Sequence, residues 1–371
     1  MDAARWRSLV GRVALAAGLF LASFAGSCLE PPATEHLRLE LLADGGARAV
    51  VRVRIRAETG DNPKVAARLR ELRRAIASGD DDWSRRFDRL RPAEERLSWR
   101  RKDGELVEVE RSARFADAGE LVELFGDAPL QVSFRRLPGG AELAFYPGSG
   151  SRANRAERQA VERRLATWSG GVVSYLRTLA TLHEQTAGEP QREQACLAVL
   201  FGDAETAKAV PLAHAEKALV EAADRALADL LDVLVVPAGE AYSLEELSRL
   251  EYDPFPADLE IEVAGEIREV DGFVRGPGSV LTVPGLSLWR SLPALAGRWP
   301  ALVPLRQVSA EAEGSEQTVA IDTAALAAGL AHSEPVPSEN ELAAALARTL
   351  APAPVYRVLW RYPPETAGRR R

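Results

Sequence analysis

The chain has 371 residues, 46% of them hydrophobic and 27% charged, with 47 basic against 54 acidic side chains and a net charge of −7. That balance is ordinary for a folded globular protein, and its basic residues are interspersed with acids, so no nucleic-acid partner is expected. Beyond the N-terminal segment no run reaches about 18 apolar residues, which argues against a further membrane span.

The first dozen residues carry Arg5, Arg7 and Arg12 against the single acid Asp2. An apolar run from Val13 to Phe24 follows, then Ala25-Gly26-Ser27. A positive start, a short apolar stretch and a small-residue cleavage site are the three parts of a secretory signal, so residues 1–27 are read as one. The stretch from Val13 to Ser27 is shorter than the about 20 residues a spanning helix needs. Cys28 directly after Ala-Gly-Ser resembles the lipobox of bacterial lipoproteins, although Ala25 stands where that family usually has Leu. The resemblance implies that Cys28 becomes the lipidated first residue of a membrane-anchored envelope protein facing the periplasm or cell surface. Several acyl chains on one residue would anchor it firmly.

Loss of the signal leaves a net charge of −9. The charge is uneven: residues 28–175 carry net +3 and residues 176–371 carry net −12. Only four of the basic residues are Lys, so an individual Arg is weak evidence of a selected anion ligand. The other cysteine, Cys196, lies in the apolar stretch Ala195–Phe201 and is expected to be buried, a free thiol where Cys28 carries lipid and a candidate disulfide partner of Cys28 where it does not.

Residues 28–36 read as a tether containing Pro31-Pro32. Residues 37–150 read as an α+β domain of three hairpins: Leu37–Leu42 with Ala49–Ile55, Arg96–Arg101 with Glu105–Phe115, and Leu130–Leu137 with Ala141–Tyr146. Each is joined at Asp-Gly or Gly-Gly, the strongest short-range hairpin signals. Helical spacing appears between them at Lys64–Ser78, Trp83–Leu90 and Ala118–Phe125, predicting helices packed on one sheet face.

Residues 151–236 form a helical segment. Val161, Leu165, Trp168, Val172, Leu176 and Leu179 make an apolar stripe, and Gly170-Gly171 inside it predicts a kink or a close helix contact. Further helices are expected over Gln191–Phe201 and from Pro211, as a first-turn proline, to Leu234. Residues 237–371 read as a smaller, mostly β region with strands at Leu259–Val263, Ile267–Val274, Val280–Val283 and Val355–Arg361 and a helix at Glu339–Leu350. The acid-alternating strand, Gly265-Glu-Ile and Asp271-Gly272, together with the early hairpin after Cys28, resemble the LppM-type lipoprotein domain. That family carries no agreed catalytic residues, so the resemblance implies a lipoprotein fold and no site.

Chemical motifs fail one by one. His183-Glu184 begins a zinc-hydrolase pattern, but Ala187 holds the second histidine position. Gly148-Ser149-Gly150-Ser151 has the wrong spacing for a nucleophile elbow; Ser151 or Asn154 is instead expected to cap the long helix. Asp80-Asp81-Asp82 lacks the alternation and central glycine of a calcium loop, and Asp81 or Asp82 is expected to cap the helix at Trp83. Glu251-Tyr-Asp-Pro-Phe-Pro256 reads as a proline-rich linker with Phe255 in the core, or as the lip of a binding site. The expectation is therefore a non-catalytic envelope lipoprotein, a binding or scaffolding module without cofactor or metal whose partners are the membrane and an envelope protein. The alternative is an envelope hydrolase with dispersed acidic residues. A deep pocket with convergent carboxyls of raised pKa would sink the non-catalytic reading, and a shallow surface would count against the hydrolase.

Overall fold

The computed structural model describes residues 33–55, 62–90, 92–102, 104–202, 204–208, 210–237, 239–283, 298–299 and 323–363. The signal segment, Cys28 and the polar tail fall outside them.

The three hairpins form as their turn residues predict: β1 (Ala33–Leu41) with β2 (Ala47–Ile55), β3 (Glu94–Lys102) with β4 (Glu105–Phe115), and β5 (Leu130–Leu137) with β6 (Gly140–Pro147). The chain is α+β. Its tether is shorter than the sequence suggests, because Ala33–His36 already pair with Arg52–Ile55.

Strand alternation then decides the layers. Leu37, Leu39 and Leu41 of β1 and Ala49, Val51 and Val53 of β2 are buried, while the intervening residues form a lattice of ion pairs on the other face. In that lattice Arg52 meets Glu110 at 2.6 Å, Arg54 meets Glu108 at 2.9 Å, and Arg38 pairs with Glu262. The apolar face is covered by α1 (Pro63–Ser78) and α2 (Asp82–Leu90), through Val65, Leu69 and Phe87. A 3₁₀ helix over Ala118–Phe125 adds Leu121 and Phe125 to the same core.

The helical segment contains α3 (Arg155–Gln185), α4 (Pro190–Phe201), α5 (Ala204–Ala207) and α6 (His214–Leu234). Asn154 caps α3, accepting from the N–H groups of Ala156 and Glu157. The proline at a first turn is Pro190; Pro211 lies outside α6, which begins after Ala213. Gly170-Gly171 leaves α3 unbroken where it packs on α6, and a Cβ on Gly171 would meet Leu230 of α6 at an ordinary contact distance of 3.6 Å. A second core, built on Trp168, Leu179, Leu197 and Leu227, joins these helices to α7 (Leu244–Tyr252), α8 (Thr323–His332) and α9 (Glu339–Leu350).

The strands after residue 237 do not make a core of their own. They extend both earlier sheets: β7 (Asp258–Val263) lies parallel to β1, and β10 (Val280–Thr282) and β9 (Val274–Arg275) follow it. The first sheet thus runs β3-β4-β2-β1-β7-β10-β9. β8 (Glu266–Asp271) and β11 (Tyr356–Arg361) join the third hairpin in a sheet ordered β5-β6-β11-β8. The single strand expected over Ile267–Val274 is split at Gly272, whose φ of +74° turns the chain from one sheet to the other. The hairpins are antiparallel, and a parallel pair enters only between hairpins, at β1–β7, which joins residues more than 200 positions apart where no local turn signals it.

Candidate functional site

A cavity of about 1180 Å³ lies where the sheet domain meets the helical one. Its wall combines the start of β1, one face each of α1 and α2, the Ser151-Arg152 approach to α3, and the stretch from Tyr242 to Asp258. That volume exceeds the upper end of ordinary small-ligand pockets, about 1,000 Å³.

Local sequence places each wall. Asp81 caps α2 by accepting from the N–H groups of Trp83 and Ser84 at 3.0 and 3.1 Å, which confirms the capping role expected of this acidic run. The cap fixes the helix rotation, so Trp83 and Arg86 lie inward while Arg85 and Arg89 line the cavity beside Asp82 and Asp127, with which they pair. On α1, Arg68 stacks 4.2 Å above the Tyr242 ring and pairs with Glu246. Ser243 caps α7 and accepts from the Glu246 N–H at 3.1 Å, setting Arg249 on the cavity side, where it meets Asp258 at 3.3 Å.

Six arginines and seven carboxylates line the space. Arg68, Arg85, Arg89 and Arg249 have carboxylate partners within it. The other two are held differently. Arg86 donates to the Leu124 carbonyl, and Arg152 donates from Nε to the Asp253 carbonyl at 2.9 Å and from its terminal nitrogen to the Arg249 carbonyl at 3.1 Å. The two carbonyls that Arg152 holds lie at the end of α7, where helix groups are left without internal partners. Burial, the main influence, lowers the pKa of both guanidinium groups.

Two carboxyls answer them. Glu35, on β1, accepts from the Trp83 indole N–H at 2.8 Å. Burial pushes its pKa up, opposed by that hydrogen bond and by the nearby Arg152. Asp253 accepts from the Phe255 N–H at 2.9 Å. Burial pushes its pKa up to about 6, opposed chiefly by Arg152. Arg152 therefore faces both acids, and charges of both signs meet on this wall, with Arg86 and Asp253 buried and Glu35 and Arg152 half-buried. Such a wall can bind complementary charges strongly, since low local dielectric amplifies each contact.

Of the residues singled out in the sequence, the Glu251–Pro256 stretch has its phenylalanine in the core, as its linker reading expects, and runs along the cavity wall. Phe255 is buried, in edge contact with Phe145 and Tyr356 at 5.5 and 5.1 Å, while Asp253 and Pro256 line the cavity. His183 Nδ1 lies 2.8 Å from Glu193, linking α3 to α4. Cys196 is buried, and burial pushes its thiol up to about 11. Among the described residues no group of His, Cys, Asp and Glu is arranged to hold a metal ion, and no helix is long and apolar enough to cross a membrane. Glu35 and Arg152 escaped the sequence reading. The one available signal was an arginine placed between a Gly-Ser linker and a helix cap, where a solvated loop residue is equally ordinary.

Compared with known proteins, the chain matches no family model, no curated protein and no solved structure.

Proposed function

We propose that this is a lipid-anchored envelope protein that binds a small zwitterionic, peptide-like ligand in the cavity around Glu35, Arg152 and Asp253. The carrying observation is the pairing of a roughly 1180 Å³ space with buried charges of both signs. Arg152 and Arg86 offer donors to a carboxylate, and Glu35 and Asp253 offer acceptors to an ammonium group. A ligand bearing both groups would replace the water that these side chains have given up. Arg152 also has a structural duty at the end of α7, and the mixed sign of the wall is what a purely structural arginine leaves unaccounted for.

Location enters through Cys28. Ala33, the first cavity-lining residue, is five positions after it, and an extended chain spans at most about 3.6 Å per residue. A lipidated Cys28 would hold this wall within about 18 Å of the membrane surface. Mass spectrometry of the mature N-terminus tests the anchor: a diacylated Cys28 is expected, and an unmodified cysteine removes it from the account.

The raised pKa of Glu35 and Asp253 supports a second reading, an acid–base pair in a hydrolase. The two separate on kinetics. Binding predicts that a tripeptide of alanine, glutamate and lysine is held unchanged and that Asp253→Asn weakens it severalfold. Hydrolysis predicts turnover that both Glu35→Gln and Asp253→Asn abolish.

A further inference from the structure

The first sheet ends in two unlike edges. β9 is two residues long, whereas β3 runs for nine residues and is exposed throughout. Natural proteins blunt long edges with proline, bulges or a covering element, because unpaired N–H and C=O groups recruit other strands. β3 contains no proline, and the break in its ladder lies at one end, between Arg100 and Arg101. Its charged residues are the other guard such an edge carries, and among the described residues its only neighbour in the sheet is β4. Leu97 and Trp99 stand 40% and 41% exposed on it. They share the face of their partners Arg111 and Val109, and Leu97 lies at the margin of the core beside Val53 and Ile76.

The order of residues along β3 is self-complementary. It reads Glu94-Glu-Arg-Leu-Ser-Trp-Arg-Arg-Lys102. An antiparallel second copy centred on Ser98 sets Glu94 against Lys102, Glu95 against Arg101, and Leu97 against Trp99, each twice by symmetry. The only like-charge opposition is Arg96 with Arg100, and Arg100 is already 3.3 Å from Glu108 of its own sheet. We infer that β3 is a homodimer edge, joining two copies of this chain into one continuous sheet about a two-fold axis at Ser98. Such an interface is isologous, so its charge pattern has to complement itself, and opposed charges and apolar pairs across strands each contribute. The four side chains Leu97 and Trp99 of both copies would then extend the core across the axis.

Sedimentation equilibrium of the exported chain carrying Cys28→Ser tests this. The unsubstituted edge is expected to dimerise. Glu94→Lys and Lys102→Glu, each alone, weaken the dimer by about tenfold through two symmetric pairs, and an equimolar mixture of the two restores it as a heterodimer. Ser98→Cys is expected to give a covalent dimer on mild oxidation, with thermal unfolding of its reduced form unchanged. A monomer at every concentration up to the solubility limit overturns the inference. A dimer indifferent to both charge reversals overturns it as well.

Discussion

Asp253 combines two roles that pull against each other. Its carboxyl closes a turn on the Phe255 N–H at 2.9 Å, yet burial holds its pKa at about 6, against an ordinary aspartate value of about 3.9. Between those values the folded protein holds a proton that the unfolded chain has released. Stability therefore falls as pH rises from about 4 to about 6, by up to about 3 kcal/mol, and is flat above. Glu35 shifts in the same direction and adds to the slope. Asp253→Asn keeps an acceptor for Phe255 and removes the titration. Denaturant unfolding at several pH values should show the slope flattened in the variant; an identical slope in both proteins would show that the shift lies elsewhere. Of these residues the sequence disclosed Asp253 as part of an acid- and aromatic-bearing loop, because composition marks such loops. It disclosed nothing of Glu35, whose significance comes from the indole that tertiary structure brings to it.

Elements defined by neighbouring residues were legible in advance: three hairpins by their turn glycines, α2 and α3 by Asp81 and Asn154, and the α3 stripe by its period. What joins these elements was not, since the parallel β1–β7 pair and the placing of β11 between β6 and β8 depend on contacts with no sequence marker. Two glycines show the difference. A Cβ on Gly140 would lie 2.1 Å from the Trp360 carbonyl of β11, a backbone atom that cannot yield. Gly140→Ala is expected to cost more than about 2 kcal/mol by forcing β6 and β11 apart. Gly171 differs, because its added methyl would meet Leu230 at ordinary contact distance. There alanine gains helix propensity, and Gly171→Ala should stabilise by up to about 1 kcal/mol. Parallel thermal and denaturant unfolding checks both signs, and a destabilised Gly171→Ala would mean that α3 and α6 have no room to spare.

At the scale of the molecule, two cores meet without merging, and the cavity occupies their junction. One core is the apolar face of the long sheet with the four-stranded sheet, and the other is the helical group around Trp168 and Leu179. Arg152 and Asp253 belong to the segments that cross between them. Junctions of this kind are common places for ligands, and closure around one would draw the two cores together. The charge difference between the halves of the sequence needs no further role: residues 28–150 carry as many acidic as basic side chains, the small basic excess lies at the approach to α3 and in its first turns, and the acidic excess lies in the later helices and strands.

The most direct test of the proposed binding site follows the Trp83 indole N–H by proton–nitrogen correlation spectroscopy, assigned through Trp83→Phe, while the alanine–glutamate–lysine tripeptide is added. Trp83 reports on the Glu35 carboxyl it bonds, whereas Trp168 and Trp360 are buried in the cores and serve as internal controls. The account predicts a saturable shift of the Trp83 signal, with those of Trp168 and Trp360 unmoved and with weaker saturation in Asp253→Asn. A Trp83 signal that stays fixed up to high peptide concentration would contradict it.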